Sequence, residues 1–132
     1  MRFHRVLPAL AATLIVPFFL NASPALAAPA LDDPNTVVTV MQFNARDAAS
    51  KAELQKRMGA IRDYIRKQPG YIENALMENR NSDQKPHFVG VSRWNSFKDW
   101  EAMWLKPEFQ TLVRAVGEVG DITPGTYSPV KR

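Results

Sequence analysis

Cysteine is absent from this 132-residue sequence, and histidine occurs only twice. Without cysteine, the chain cannot build a disulfide scaffold, use a thiol nucleophile or bind a metal through thiolates. His4 lies in the first few residues, which leaves His87 as the one imidazole of the remaining chain. A single histidine does not supply the clustered ligands of a usual catalytic zinc or non-heme iron site. The sequence therefore predicts no bound metal.

Other common signatures are also missing. The sequence contains no internal repeat, no low-complexity tract, no glycine-rich phosphate loop and no set of residues that reads as a Ser-His-Asp triad. The segments "PGY" and "TPGT" each hold a single glycine, which is typical of turns. Phosphate-binding and serine-hydrolase functions are therefore not indicated.

The first 27 residues have the composition of a secretory signal peptide. "MRFHRV" is basic, "LPALAATLIVPFFL" is apolar and short for a membrane span, and "NASPALA" ends in small residues. We expect cleavage after Ala27 and a mature protein in the periplasm or the medium. The alternative is an uncleaved membrane anchor.

Cleavage of the signal peptide would change the net charge of the protein. Loss of Arg2 and Arg5 leaves 15 basic and 13 acidic residues, a net charge of +2. This small excess does not indicate a nucleic-acid-binding surface. After cleavage we expect neither nucleic acid nor a membrane as a partner.

The mature chain begins with a short leader and a strand. Residues 28–35 are polar and rich in proline, which predicts a flexible leader before a domain that covers residues 36–130. "VVTVMQFNA", from Val37 to Ala45, is apolar at nearly every position and predicts a strand covered on both faces.

A helix is predicted after this strand. Ser50 and Glu53 have the spacing of a capping box at its start, and Pro69-Gly70 ends it. Residues four, three and four positions apart form one apolar stripe, namely Leu54, Met58, Ile61 and Ile65. Ion pairs four residues apart are expected for Glu53 with Arg57 and for Asp63 with Lys67.

The second half predicts a hairpin, a bent helix and a last strand. "YIENALMEN" and "HFVGVSRWN" are strands joined by a polar turn. Ser96 and Asp99 predict a capped helix, and Pro107 predicts a bend before a second helical segment. "DITPGTYSPVKR" predicts a short edge strand, because Pro124 and Pro129 lack an N–H donor.

The resulting order β-α-β-β-α-β predicts an α+β, ferredoxin-like fold, with two helices on one face of a four-stranded antiparallel sheet. The other face would expose the apolar side of the first strand to water. We expect a homodimer that packs sheet against sheet. The alternative is a monomer whose leader or C-terminal tail covers this face.

Several segments together resemble the antibiotic biosynthesis monooxygenase (ABM) domain, a dimeric α/β barrel. They are "VVTVMQFNA", a helix followed by "PGY", the strand pair, and "SRWNSFKDWEAMWLKPEFQTL" with Trp94, Phe97 and "KPEF". The resemblance covers roughly Thr36 to Val130. It implies small-molecule chemistry, because the family includes cofactor-free oxygenases of quinols or anthrones and heme-degrading oxygenases.

In the cofactor-free members, the resemblance implies that the substrate supplies the electrons. The protein then stabilises a phenolate or carbanion in an apolar cavity with a few placed donors. We expect this cavity between helix and sheet, with polar groups from Asn44, Asn95 and Arg114. Its aromatic walls would be Trp94, Trp100, Trp104 and Phe109. We assign Asn44, Trp94 and Arg114 to catalysis, and Trp104, Phe109 and His87 to substrate binding.

Each of these residues has a simpler interpretation. Asn44 resembles a site asparagine of the heme-degrading members, but a strand-end asparagine often makes a local backbone bond. Arg114 stands where those members have the heme-ligating histidine, which disfavours heme, so Arg114 either binds an anionic substrate oxygen or lies in solvent. His87 is a general base or a solvated side chain.

The three tryptophans lie within eleven positions, from Trp94 to Trp104. Phe97, Trp100 and Trp104 share one helix face, and such a stripe usually belongs to a core. We assign Phe97 and Trp100 to packing, and leave open whether Trp94 and Trp104 face a cavity. Two main functions then remain: an exported, cofactor-independent monooxygenase for an aromatic or quinol-type molecule, or a non-catalytic dimeric barrel that binds a hydrophobic or heme-like ligand. A third alternative is a dimer whose pocket is filled by side chains and which is only a structural or interaction module.

Overall fold

The computed structural model describes residues 27–131. The predicted signal peptide therefore lies outside the described residues, apart from Ala27. The strands are β1 (Val37–Ala45), β2 (Tyr71–Glu78), β3 (Phe88–Trp94) and β4 (Gly120–Tyr127). The helices are α1 (Lys51–Ile65), α2 (Phe97–Trp104) and α3 (Pro107–Gly117). None of the described helices is both long and apolar enough to span a bilayer.

The strands form one antiparallel sheet in the order β2-β3-β1-β4. β2 and β3 pair as a hairpin, and β4 lies at the edge, where Pro124 is tolerated. The predicted ferredoxin-like α+β fold is confirmed. The first strand has its predicted bounds, and the second and third end within one residue of theirs.

The core lies between the sheet and the helices. Leu54, Met58, Ile61 and Ile65 are all buried on α1, as their spacing predicted. On α3, Phe109 and Val116 are buried, and Leu112 and Val113 pack against the core. Alternate β1 residues supply the sheet side, with Met41 and Phe43 at 5% and 1% exposure.

The predicted bend in the second helical region is confirmed. α2 begins after Ser96, whose Oγ accepts a hydrogen bond from the Asp99 N–H at 3.1 Å. α2 ends at Trp104, and Pro107 occupies the first position of α3, where its missing N–H is not needed.

The predicted capping box of α1 is wrong. Ser50 precedes α1 but makes no side-chain cap bond there, because its hydroxyl donates to Asp47 Oδ1 at 2.8 Å. Asp47 instead caps a short 3-10 turn, Ala48–Ser50. The hydrogen bonds from the Ser50 hydroxyl and backbone N–H lower the pKa of Asp47.

Of the two predicted ion pairs on α1, one is confirmed. Arg57 Nε lies 3.0 Å from Glu53 Oε1, and Arg57 Nη1 also reaches Glu118 Oε2 at 2.7 Å. Asp63 lies beside the Arg62 guanidinium, at 3.4 Å from Nε, and not beside Lys67. Arg57 thus ties α1 to the residue after α3, and Glu118 and Glu53 raise its pKa.

The leader lies against the face of the sheet opposite the helices. Arg93, on β3, is 6% exposed, and its Nη2 donates to the carbonyls of Pro29 at 2.7 Å and Ala30 at 2.9 Å. Its Nη1 bonds Glu73 at 2.6 Å. The leader is therefore attached to one part of this face rather than free of it.

The rest of this face stays partly open. Val38 and Val40 on β1 are half-buried, and Tyr127 on β4 is 56% exposed. A shallow cavity of about 560 Å³ lies over these three residues, bordered by Leu31 of the leader and Val130 of the tail. The predicted apolar face is present, and the leader and tail cover only part of it.

Candidate functional site

A groove lies between α1 and the edge strand β2, and we call it the α1–β2 groove. Its volume is about 750 Å³, within the range of small-molecule sites. Its floor is apolar and consists of Met58, Leu76 and Phe88. Met58 and Phe88 are nearly inaccessible, at 1% and 4%, so the floor is part of the core surface.

Charged side chains of both signs form the walls of the α1–β2 groove. Lys56, Arg62 and Asp63 project from α1, and Glu78 comes from β2. An added Cβ at Gly59 would lie 3.9 Å from Arg62 Nη2, so the guanidinium lies over this bare position of the helix. The groove can therefore hold an apolar body on its floor and an anionic oxygen beside the guanidinium.

A smaller space, which we call the inner hollow, lies behind the groove between α1 and the sheet. Its volume is about 20 Å³, and apolar side chains form most of its wall, among them Met41, Phe43, Ile61 and Ile65. The inner hollow and the α1–β2 groove share Arg62 and Leu76 as lining residues. These two side chains therefore separate the two spaces.

Polar groups at the inner hollow are already engaged in hydrogen bonds. Asn74 Oδ1 accepts from Tyr71 Oη at 2.8 Å and from Arg66 Nε at 3.2 Å. The Ser92 hydroxyl accepts from Trp94 Nε1 at 3.0 Å and contacts Thr39 Oγ1 at 2.5 Å. Among residues 27–131, the amide nitrogen of Asn74 makes no hydrogen bond.

The structure places the predicted aromatic walls elsewhere. Trp94 is 0% exposed, with Tyr71 edge-on at 5.9 Å, and it belongs to the core. Trp100 stacks on Trp104 at 5.4 Å, and Trp104 packs on Phe109 at 5.3 Å. These rings fill the space between them, and they line neither the groove nor the inner hollow. The cavity expected between the tryptophan helix and the sheet stays a prediction, and the two spaces described above lie beside α1.

The rings of Phe97 and Trp100 pack against each other, with centroids 5.5 Å apart, as predicted. Phe97 is nevertheless 49% exposed, so only one side of its ring is covered. The Trp100 indole nitrogen is buried without a partner among the described residues.

Asn44 and His87 meet at the end of the β1–β3 pair. Asn44 Oδ1 accepts from the His87 N–H at 3.2 Å, and His87 Nδ1 accepts from the Ala45 N–H at 2.9 Å. Asn44 thus makes a structural bond to the backbone, but to a segment 43 positions away and not to its own turn. Neither residue lines the groove or the inner hollow. His87 is bound rather than simply solvated, and its Nδ1 is not free to accept a substrate proton.

Arg114 is exposed on α3, and its Nη2 donates to Thr111 Oγ1 at 3.1 Å. The structure therefore does not bring it together with Asn44, Asn95 or the tryptophans. A guanidinium is no iron ligand, and the neighbouring Phe109 is fully buried among other rings. The residues present do not fit a heme held by α3. Within residues 27–131, no group of three histidine, aspartate or glutamate side chains could hold a metal ion.

Sequence reasoning missed Arg62, Asn74 and Gly90, which line the groove or the inner hollow. Arg62 reads as one of several charges on the wet side of a helix. Only one feature of the sequence distinguishes Arg62 from the other charged residues of α1: it directly follows Ile61, a residue of the apolar stripe. A side chain there lies at the border between core and solvent.

Two comparisons with known proteins find nothing: no family model matches the chain, and no curated protein matches it. Comparison with solved structures does find the fold. One match is SnoaB from Streptomyces nogalater, a cofactor-independent oxygenase, with a TM-score of 0.64 and 18% identity over 74% of this chain and 96% of that one.

Two further matches belong to the same group. A candidate antibiotic biosynthesis monooxygenase from Deinococcus radiodurans has a TM-score of 0.63 and 17% identity, over 73% of this chain and 94% of that one. A candidate monooxygenase from Shewanella loihica has a TM-score of 0.58 and 22% identity, over 74% and 96%. The ABM resemblance is thus confirmed for the fold. Identities this low show the fold alone.

Proposed function

We propose that the protein is a cofactor-independent, monooxygenase-like enzyme that binds a small aromatic or quinol-type molecule in the α1–β2 groove. One observation carries the proposal: an apolar floor of Met58, Leu76 and Phe88 lies beside the fixed charge of Arg62. The likeness in fold to SnoaB supports the class of reaction.

The groove suits a substrate that is flat and carries an acidic hydroxyl or methylene group. The ring would lie on the apolar floor, and its oxygen would face Arg62. Since a guanidinium stays charged at all working pH values, it would stabilise a phenolate or enolate. Glu78, on the opposite wall, is the carboxylate placed to take the proton, because Asp63 lies beside Arg62.

The proposed reaction needs only the substrate and dioxygen. For an anthrone, a methylene between two rings is converted to a carbonyl: R₂CH₂ + O₂ → R₂C=O + H₂O. The methylene carbon loses two hydrogens and four electrons. One oxygen atom enters the product, and the other leaves as water.

The protein is proposed to act as an exported homodimer. Cleavage after Ala27 would leave the leader in place, and the apolar face around Val38, Val40 and Tyr127 would pack against a second copy. Mass spectrometry of the exported protein tests the cleavage: a chain beginning at Ala28 is expected, and an intact Met1 contradicts it.

A second function is a non-catalytic barrel that binds a hydrophobic molecule in the cell envelope. The observation that favours it concerns His87, the one histidine of the described residues, which lies outside the groove with Nδ1 engaged. The groove would then offer carboxylates as its only bases.

Oxygen uptake separates the two functions. Purified mature protein is mixed with a panel of anthrones and hydroquinones, and dioxygen consumption is followed against a blank. Uptake that exceeds the blank, and that falls in Glu78→Gln with binding retained, supports the enzyme. Tight binding without uptake supports the carrier, and the absence of both contradicts a ligand site in the groove.

A further inference from the structure

The face of the sheet opposite the helices carries very little charge. Paired residues of neighbouring strands point to the same side of a sheet, so the register gives three outward rows across the four strands. The rows are Glu73, Arg93, Val38 and Tyr127; Ala75, Val91, Val40 and Gly125; and Met77, Val89, Gln42 and Thr123. Only Arg93 and Glu73 in these rows are charged at neutral pH, and they bond each other at 2.6 Å.

The leader covers the one cation of this face. Arg93 is 6% exposed, and Pro29 and Ala30 supply two of the three oxygens that its guanidinium contacts. Its Nε has no partner among the described residues. Without the leader, Glu73 would be the only one of these partners left to Arg93. A guanidinium with so few partners opposes burial of the surface around it.

The leader reaches Arg93 through turns of its own. The Asp33 N–H donates to the Ala30 carbonyl at 3.0 Å, and the Thr36 N–H donates to the Asp33 carbonyl at 3.1 Å. The Thr36 hydroxyl donates to the same Asp33 carbonyl at 2.7 Å, and Thr36 is only 2% exposed. The backbone just before β1 therefore has a defined path onto the face.

The leader also adds apolar surface to the face. Three large apolar side chains border the shallow cavity and are strongly exposed: Leu31 at 75%, Tyr127 at 56% and Val130 at 87%. Tyr127 lies along the sheet, because a Cβ at Gly125 would be 2.8 Å from its Oη. Exposed apolar groups around an apolar floor mark a protein-binding surface. A surface without unpaired charge fits a second copy of itself, as a two-fold interface requires.

We infer that the leader is part of the surface that binds a second copy of this chain. It covers the charge of Arg93, so that the whole face can be buried, and it adds Leu31 to the contact. This role rests on the proposed homodimer. It goes further, because it makes a segment before the first strand a requirement for assembly.

The first test removes the leader's contact with Arg93. Sedimentation velocity gives the dimer dissociation constant of the mature protein and of a chain that begins at Asp32, which lacks both carbonyl acceptors. We expect the deletion to weaken dimerisation about tenfold or more, because it leaves a poorly paired charge on the face. Arg93→Leu in the shortened chain should restore most of the affinity, since no charge is left to cover.

Arg46→Leu in the shortened chain is the matched control. Arg46 is exposed and also donates to a backbone carbonyl, that of Gly117 at 3.5 Å, but it lies outside the outward rows. It should restore nothing. The deletion ends before β1 begins at Val37, and urea unfolding of each variant checks that the fold is kept.

A second test uses the full mature chain. Leu31→Asp keeps both carbonyl acceptors of Arg93 and places a carboxylate at the border of the shallow cavity. We expect it to weaken dimerisation several-fold. Leu105→Asp is its control, because Leu105 is 69% exposed on the helical side of the sheet. This comparison decides the role of Leu31 even if the shortened chain does not fold.

Three results would overturn the inference and leave the homodimer standing. They are a shortened chain that dimerises as tightly as the mature protein or more tightly, a loss that Arg93→Leu does not restore, and an unchanged affinity in Leu31→Asp. A mature protein that stays monomeric would overturn both the homodimer and the role of the leader. None of these measurements depends on turnover, so the proposed reaction can fail while the inference stands.

Discussion

Arg62 is the residue on which the proposed ligand site depends most. It borders both the α1–β2 groove and the inner hollow, and its side chain is 37% exposed. The contact with Asp63, at 3.4 Å, is long and solvent-exposed, so it holds the guanidinium only weakly. Arg62 is therefore able to turn toward an anionic ligand oxygen.

Replacement of Arg62 tests this role. We expect Arg62→Ala to weaken binding of a phenolic ligand about tenfold or more, because a charge-assisted hydrogen bond contributes about 1.5–3 kcal/mol. The measurement is a calorimetric titration of the mature protein. Arg114→Ala is the matched control, since Arg114 is exposed on α3 outside the groove. Equal losses in the two variants, or none in Arg62→Ala, would contradict the assignment.

The predicted site residues show what a sequence can and cannot resolve at this scale. Residue type and spacing placed Asn44 at a strand end and the aromatic residues on one helix face, and both placements are confirmed. The direction of each side chain was not predictable, because it depends on neighbours from distant segments. Asn44 bonds His87 across 43 positions, and the aromatic rings pack on one another.

At the scale of the element, the two helix starts differ although their sequences look alike. Both have serine followed three residues later by an acidic residue, at Ser50 and at Ser96. Ser96 caps α2, with bonds to the Asp99 N–H and carboxyl group. At the first start, Asp47 lies three residues earlier and takes the hydroxyl of Ser50. The pattern alone does not reveal this competition.

The difference between the two helix starts can be measured through the free energy of unfolding. Ser96→Ala should lower the free energy of unfolding by about 1 kcal/mol, because an orphan N–H of α2 loses its acceptor. Ser50→Ala should lower it less, since the Ser50 side chain makes no cap bond to α1. Urea unfolding of both variants checks this order. A larger loss for Ser50→Ala than for Ser96→Ala would contradict this order.

The gap between α1 and β2 depends on how these two elements are placed relative to each other. The apolar stripe of α1 predicted a buried face, and the strand pattern predicted the hairpin. The width of the gap depends on how α1 lies across the sheet. Periodicity carries no information on such distances. The groove and the inner hollow were therefore visible only in the folded chain.

At the scale of the whole molecule, the open face of the sheet is the feature that most needs a partner. Val38 and Val40 are half-buried there, and Tyr127 is 56% exposed. Arg93 attaches the leader to one part of the face, which leaves the shallow cavity between Leu31 and Val130. A second copy would cover the exposed remainder.

A charged substitution on this face tests whether the face forms a dimer interface. We expect the mature protein to sediment as a dimer and Val40→Asp to sediment as a monomer, because an unpaired carboxylate opposes burial of the face. Leu105→Asp is the control, since Leu105 is 69% exposed at the bend after α2. Sedimentation velocity over a range of concentrations gives the result. A wild-type monomer at the highest concentration would contradict the proposed assembly.

The fold as a whole could be predicted from the sequence. Alternating and helical periodicities, together with Pro69-Gly70 and Pro107 at the breaks, predicted the four strands and the three α-helices in the correct order, but not the short 3-10 turn Ala48–Ser50. The predicted edge position of β4 follows from Pro124. The sequence did not predict the α1–β2 groove, and the tryptophans of α2, Trp100 and Trp104, stack on each other and do not line it.

Whether the α1–β2 groove binds an aromatic ligand is tested by locating such a ligand on the protein. Amide and methyl chemical shifts of the mature protein are followed during titration with an anthrone that binds. We expect the largest shifts at the floor and walls of the α1–β2 groove, above all at Met58, Arg62, Leu76 and Glu78. Largest shifts at Val40 and Tyr127, or at Trp100 and Trp104, would contradict this expectation.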